Sequence, residues 1–177
     1  MKAAGRWVID ASVVLARLLH EDRPDWVDDH IDGMHEGRVQ LLAPSLLWLE
    51  IGNRLVRAGS VGDESALEAM LRAERIGIEE VPLDRPIRLR ALTLARAHGL
   101  SMYDATYLAA AEATGTRLLT LDTRLERASY RLGLSREGGH GGVSEPFASY
   151  DERPVDLTSL AAIGQALAEM RREYSTD

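Results

Sequence analysis

The sequence of 177 residues predicts an α/β fold with a central parallel sheet of four to five strands. Short apolar stretches typical of buried strands alternate along the chain with longer amphipathic patterns typical of helices. One or two helices separate successive strands, which favours right-handed crossovers and a three-layer sheet covered on both faces. Two of the apolar stretches end on aspartate, at Asp10 and Asp122, and parallel sheets bind ligands at the carboxyl ends of their strands.

The N-terminal half of the chain is predicted to hold two strands and four helices. Apolar runs at residues 6–10 and 39–43 predict the strands. Apolar residues at helical spacing predict the helices, and a glycine follows the third and the fourth of them as a stop signal. The four predicted helices are residues 13–20, 24–35, 44–58 and 63–76.

The following part of the chain repeats the alternation. Apolar runs at residues 78–83 and 117–122 predict the third and fourth strands. Gly99 and Gly115 mark the ends of the next two amphipathic patterns. The three predicted helices of this part are residues 86–98, 101–114 and 123–132.

Composition changes after residue 134 and predicts three parts in the chain. Residues 1–134 carry the alternating pattern and form the folded body. Residues 135–156 are rich in glycine and proline without sustained periodicity, which predicts a linker with at most a short edge strand. Apolar residues return at helical spacing in residues 157–177 and predict a C-terminal helix.

Composition also excludes several classes of function. There is no cysteine, which removes disulfides and thiolate metal sites, and Lys2 is the only lysine, which rules out a Walker A phosphate-binding loop. The net charge of −7 argues against binding nucleic acid by bulk charge alone. No apolar run is long enough to span a bilayer, so we expect a cytoplasmic protein with no membrane association.

Asp10 and Asp122 are predicted to lie at the same edge of the sheet, because both end parallel strands. Each also has a structural interpretation. Asp10, followed by Ser12, is typical of a helix N-cap at a strand-to-helix corner. Asp122 precedes Thr123, which with Glu126 has the spacing of a capping box.

Two further acids, Asp104 and Glu50, lie beside apolar stripes of predicted helices. Asp104 shares a helix face with apolar residues, although its spacing from Ser101 also fits a capping box. Glu50 has apolar neighbours at helical spacing, and the alternative is an ordinary surface ion pair with Arg54. A carboxylate next to a core-facing stripe usually has a partner or a metal ion.

Together the four carboxylates predict an acidic pocket that needs cations, because like charges in a partly buried site repel. Oxygen ligands select hard cations, so Mg²⁺ or Mn²⁺ is expected, and the absence of cysteine together with scattered histidines argues against zinc. Such a site suits hydrolysis of a phosphodiester.

Four sequence motifs occur in an order that is typical of one family. They are "VIDAS", "LLWLEIGNRL", "GLSMYDATYLAAAEATG" and "LLTLDTRL", within residues 6–134. In these motifs the chain resembles the PIN-domain ribonucleases, and most closely the VapC-type toxins of bacterial toxin–antitoxin pairs. The resemblance implies that the catalytic and metal-binding residues are Asp10, Glu50, Asp104 and Asp122, supported by Ser12 and Thr120.

The resemblance implies a PIN-like nuclease domain in residues 1–134 that cleaves single-stranded RNA with Mg²⁺ or Mn²⁺. It also implies a homodimer and a small antitoxin that blocks the site. Arg124, Arg127 and Arg131 recur on one face of a predicted helix and could meet RNA phosphates, although a solvated basic face is the commoner meaning of such spacing.

Two other functions fit parts of the pattern. A catalytically silent PIN-like interaction protein would retain the fold, but such degenerate domains usually lose acids, and all four are present here. A haloacid-dehalogenase-like phosphatase also begins with a strand-end aspartate, but it needs a second aspartate at the position of Ser12. Turnover that depends on Mg²⁺ separates these classes.

Overall fold

A computed structural model of the chain describes residues 5–57 and 63–136. Its sheet is parallel throughout and has the strand order β3-β2-β1-β4. This confirms the predicted α/β fold, with four strands in the described part of the chain. The strands are β1 (Gly5–Ile9), β2 (Val39–Pro44), β3 (Glu79–Val81) and β4 (Arg117–Leu119).

All seven helices predicted in this part of the chain are present. Glycines in the left-handed conformation end two of them, because Gly99 and Gly115 have φ angles of 63° and 62°. The helices are α1 (Ala11–Leu18), α2 (Asp25–His35), α3 (Leu46–Arg57), α4 (Asp63–Glu74), α5 (Arg85–His98), α6 (Met102–Thr114) and α7 (Thr123–Arg131).

Strand β1 and helix α6 form the centre of the core. In β1, Val8 and Ile9 are fully buried, and β1 pairs with β2 on one side and β4 on the other. Helix α6 packs against β1, β2 and β4 with a face rich in buried alanine, and small side chains allow a helix to approach a sheet closely. The N-terminal end of α6 is thereby held next to the carboxyl ends of β1 and β4.

Several predicted boundaries were wrong by a few residues. The fourth strand ends at Leu119 and not at residue 122, because the chain turns there and the Thr120 hydroxyl accepts the backbone N–H of Asp122. The third strand is also shorter than residues 78–83. Pro44 is the last residue of β2, where the prediction began a helix, and α1 begins earlier than predicted because Asp10 caps it.

The predicted linker and C-terminal helix lie almost entirely outside the described residues. Of the linker, only Ser135 and Arg136 are described, and Ser135 forms an isolated parallel bridge with Leu118 of β4. None of the helices in residues 5–57 and 63–136 has the length and apolar character that crossing a membrane requires.

Candidate active site

Asp10 is a buried carboxylate at the carboxyl end of β1, with only 5% of its surface exposed. Its Oδ1 accepts hydrogen bonds from the Ser12 hydroxyl at 2.5 Å and from the backbone N–H groups of Ser12 and Val13. Its Oδ2 accepts the Thr120 hydroxyl at 2.6 Å. Burial raises the pKa of Asp10, although these hydrogen bonds oppose the shift. Asp10 therefore caps α1, as the structural interpretation predicted, and also places a carboxylate at the sheet edge.

Ser12 and Thr120 join the β1–α1 corner to the segment that follows β4. The Ser12 hydroxyl oxygen accepts the backbone N–H of Leu121 at 2.9 Å while its proton goes to Asp10. The Thr120 hydroxyl accepts the backbone N–H of Asp122 at 3.0 Å and likewise donates to Asp10. Two hydroxyls thus fix both oxygens of Asp10 and hold the backbone of Asp122 beside them.

Glu50 lies on α3 with its side chain half-buried and accepts a hydrogen bond from the Tyr107 hydroxyl. Its pKa is raised by burial and, to a lesser extent, by the charges of Asp10 and Asp104, while the Tyr107 hydrogen bond opposes the shift. Glu50 is therefore within electrostatic reach of both aspartates. The alternative ion pair with Arg54 is wrong, because Arg54 bonds to Glu21 at 3.3 Å.

Asp104 lies in the first turn of α6, where Ser101 is the N-cap. The Ser101 hydroxyl accepts the backbone N–H of Asp104 at 3.0 Å and donates to its Oδ2 at 2.8 Å. The predicted capping position of Ser101 is therefore confirmed. Asp104 is half-buried, and its charge also acts on Glu50 across the site.

Asp122 is exposed and is itself the N-cap of α7. Its Oδ1 accepts the backbone N–H groups of Arg124 and Leu125 at 2.8 and 2.9 Å. The predicted capping box of Thr123 and Glu126 is wrong, because the carboxylate one residue earlier already satisfies the first N–H groups of the helix.

The four acids are only partly brought together. The charges of Asp10 and Asp104 both act on Glu50, and only the backbone N–H of Asp122, not its carboxylate, is linked to Asp10 through the Thr120 hydroxyl. Within residues 5–57 and 63–136, no three acidic or histidine side chains are arranged as a formed metal site. Two of the four carboxylates are turned toward helix N-termini, and mutual repulsion opposes closer approach of the others.

The donor chemistry nevertheless fits a hard divalent cation. Among the described residues, no ion pair with arginine or histidine includes any of these four carboxylates. Within the part of the chain that the structure describes, no ion pair neutralises their negative charge, and oxygen donors are what Mg²⁺ and Mn²⁺ prefer.

The three arginines predicted to meet RNA are exposed on α7. The Arg124 guanidinium donates to the carbonyl oxygen of Gly99 at 2.6 Å, so it is anchored at the C-terminal end of α5. Arg131 lies near His98, whose pKa is lowered by burial and then by the Arg131 charge. Arg127 is exposed between them in the sequence. A role of these residues in RNA binding stays a prediction.

Tyr107 is the polar residue at the site that the sequence analysis missed. It is 1% exposed and is the largest fully buried side chain among the described residues. Its position three residues after Asp104 places it on the same face of α6. A tyrosine within a run of buried alanines was a usable signal, because a buried phenol needs a partner for its hydroxyl.

Comparison with known proteins identifies the family that has this fold. The PIN domain family profile matches residues 7–129, and the chain belongs to the PIN-domain family. Over 122 residues the chain is 30% identical to Ribonuclease VapC3 of Pyrobaculum aerophilum, covering 67% of this chain and 90% of that protein.

Solved structures show the same fold at lower identity. The structure of PAE2754 from Pyrobaculum aerophilum matches with a TM-score of 0.52 and 24% identity, covering 72% of this chain and 87% of that one. FitAcB from Neisseria gonorrhoeae matches with a TM-score of 0.54 and 16% identity, covering 70% and 93% of the two chains. The family assignment and the PIN-like fold are thus established together.

Without divalent metal, Glu50→Gln is expected to become increasingly stable relative to wild type as pH rises. The pKa of Glu50 is raised in the folded state, chiefly by burial. Its stabilising contribution is therefore complete below the ordinary value of 4.5 and is lost as pH rises through the raised pKa. Glutamine retains an oxygen for the Tyr107 hydroxyl and carries no charge. Denaturant unfolding at several pH values measures the difference.

Glu112→Gln provides a control for which the expected dependence of stability on pH is opposite to that of Glu50→Gln. Arg90 donates two hydrogen bonds to Glu112, and these lower the pKa of that carboxyl. The contribution of Glu112 is therefore present above the ordinary value of 4.5 and is lost as pH falls through the lowered pKa. The deficit of Glu112→Gln should be largest near neutral pH. Parallel pH profiles for the two variants would contradict the electrostatic description of Glu50.

Proposed function

We propose that this PIN-domain protein is a metal-dependent endoribonuclease that cleaves single-stranded regions of RNA, and that it is the toxin of a type II toxin–antitoxin pair. One observation carries the proposal. Asp10, Glu50 and Asp104 are electrostatically coupled at the carboxyl edge of the sheet, with no cationic partner among the described residues. The identity to a protein named as a VapC ribonuclease supports the choice of RNA as substrate.

The four carboxylates have distinct roles in this proposal. Asp10, Asp104 and Asp122 would hold Mg²⁺ or Mn²⁺ directly or through water, and Glu50 would ligate the ion or take a proton from the attacking water. When bound, the ion supplies positive charge that stabilises the negative charge developing on the phosphodiester. The raised pKa of Glu50 makes its carboxylate a better proton acceptor than an ordinary surface glutamate.

Ser12 and Thr120 support the site by fixing Asp10. Each hydroxyl donates to one carboxylate oxygen of Asp10 and accepts a backbone N–H from the segment after β4. The carboxylate therefore cannot rotate freely, and its position relative to Asp122 is set by the backbone. Such fixed orientation of ligands is a general requirement for metal affinity.

The proposed partners are RNA, a small antitoxin protein and a second copy of the chain. Arg124, Arg127 and Arg131 would contact RNA phosphates along the exposed face of α7. A small antitoxin protein would block the acidic site, and the toxin would act as a cytoplasmic homodimer. These assignments rest on the family resemblance and on the VapC name of the relative.

The proposed activity is tested with labelled RNA in the presence of Mg²⁺ or Mn²⁺. A single-stranded oligonucleotide should be cleaved, whereas the same strand annealed to its complement should be cleaved much more slowly, because unpaired bases can be splayed out for recognition. EDTA should abolish cleavage, and added Mg²⁺ should restore it. Cleavage that persists in EDTA would contradict the metal mechanism, and no cleavage of any single strand would favour the silent interaction protein.

A further inference from the structure

Tyr107 connects the central helix to the glutamate of the site. Its hydroxyl donates to Oε2 of Glu50, which lies 57 positions earlier in the chain on α3. The phenol ring is 1% exposed and packed in the main core, so the hydroxyl has little freedom to move. The hydrogen bond therefore connects Glu50, whose side chain has several rotatable bonds, to a tyrosine that is held rigidly in the core.

The same hydroxyl also lies near the β1–α1 corner. Burial raises the pKa of Tyr107, and the backbone N–H of Ala11, the residue after Asp10, opposes that shift. Tyr107 therefore lies between the first residue of α1 and Glu50. The buried Tyr107 hydroxyl therefore fixes Glu50 of α3 relative to the corner that holds Asp10, although these two residues are far apart in the sequence.

Electrostatic repulsion explains why Glu50 needs such an anchor. The charges of Asp10 and Asp104 both act on Glu50 and disfavour its carboxylate. A glutamate side chain has several rotatable bonds and would relieve this repulsion by turning toward solvent, which also recovers side-chain entropy. The hydrogen bond from Tyr107 opposes that movement.

We propose that Tyr107 is a positioning residue that holds the Glu50 carboxylate at the acidic site. This inference rests on the proposed function, because it assigns Glu50 to the metal-dependent reaction. Tyr107 uses Oε2 of Glu50, and the described residues donate no hydrogen bond to Oε1. Helix α6 then contributes two residues to the site. Asp104 is a ligand of the ion, and Tyr107 holds Glu50 in place.

The test compares Tyr107→Phe with Tyr103→Phe. Both tyrosines lie on α6, but Tyr103 is 65% exposed and its hydroxyl forms no hydrogen bond with any described residue. Mn²⁺ affinity is measured by calorimetry, and RNA cleavage is measured as a function of Mg²⁺ concentration. Loss of a residue that orients a ligand typically lowers metal affinity or activity about 10- to 100-fold, which is the effect expected for Tyr107→Phe. Tyr103→Phe should stay within about twofold of wild type.

A double-mutant cycle separates positioning from packing. In a Glu50→Ala background, Tyr107→Phe should change Mn²⁺ affinity by less than about twofold, because the group that it positions is gone. An equal loss in both backgrounds would overturn the inference, since Tyr107 would then act through the core. Unchanged Mn²⁺ affinity and unchanged cleavage in the single Tyr107→Phe variant would also overturn it.

The two proposals fail in different ways. Wild-type protein that cleaves RNA with Mg²⁺, beside a fully active Tyr107→Phe variant, overturns only the positioning role. Wild-type protein that neither binds Mn²⁺ nor cleaves RNA overturns the proposed function and the positioning role together.

Glu50→Asp provides a second test that leaves the core unchanged, in case Tyr107→Phe does not fold. The variant keeps the charge but shortens the reach to Tyr107, so Mn²⁺ affinity should fall at least about tenfold. Affinity equal to wild type would show that charge alone suffices and would overturn the inference.

Discussion

Asp104→Asn is expected to lower the rate of RNA cleavage by at least about a hundredfold. Loss of a metal ligand removes several kcal/mol of transition-state stabilisation, and each 1.4 kcal/mol corresponds to about tenfold in rate. Asparagine keeps an oxygen that can accept the Ser101 hydroxyl, so the first turn of α6 should remain intact. Initial rates at saturating Mg²⁺ measure the effect.

Asp84→Asn is the matched control for this variant. Like Asp104, Asp84 lies at the N-terminal end of a helix, and it caps α5 by accepting the backbone N–H of Ile87 at 3.0 Å. It lies after β3, at the outer edge of the sheet and two strands away from β1. Asparagine is an equally good N-cap, so activity and stability should be close to wild type. Full activity of Asp104→Asn would contradict the assigned role of this acid.

Mg²⁺ or Mn²⁺ is expected to raise the melting temperature of the wild-type protein by about 5 to 10 °C. An ion at one hundred times its dissociation constant stabilises the folded state by about 2.7 kcal/mol, and a chain of this size gains about 2 to 4 °C for each kcal/mol. The ion also relieves the repulsion that Asp10 and Asp104 exert on Glu50, which adds to burial in raising the pKa of Glu50. Thermal unfolding at constant ionic strength measures the shift.

Asp104→Asn is expected to lose most of the rise in melting temperature that the divalent ion causes in the wild-type protein. Without metal, this variant should melt no lower than wild type, because one of the mutually repelling charges is gone. With metal, it should show little or none of the shift, while Asp84→Asn retains all of it. A shift of the same size in wild type and Asp104→Asn would place the stabilising ion elsewhere on the protein.

Local sequence signals were sufficient to predict which helices and strands the described part of the chain contains. Gly99 and Gly115 mark helix ends because each adopts a positive φ angle that a side chain disfavours, and this preference is visible in the sequence. Strand ends were less predictable. An apolar run continues through Leu121, but the strand ends at Leu119, because the backbone N–H of Asp122 bonds to the Thr120 hydroxyl and that of Leu121 bonds to Ser12, which is distant in the chain.

The same limit applies to the site. The positions of the candidate acids in the fold were predictable, because Asp10 and Asp122 follow parallel strands and because Asp104 and Glu50 lie beside apolar stripes, while their role in a metal site stays a prediction. Their partners were not, since the Arg54 bond to Glu21 and the Tyr107 bond to Glu50 join different elements. Helical spacing offered Arg54 as one possible partner of Glu50, but in the folded chain Arg54 bonds to Glu21 instead.

The central claim is that these carboxylates gather a divalent ion, and locating Mn²⁺ by anomalous X-ray diffraction from crystals of the full chain tests it most directly. We expect at least one Mn²⁺ at the carboxyl edge of the sheet, with oxygens of Asp10 and of at least one of Glu50, Asp104 and Asp122 at about 2 to 2.5 Å, or bridged by water. Absence of Mn²⁺ from this edge at saturating concentration, or its binding only elsewhere on the surface, would contradict the account.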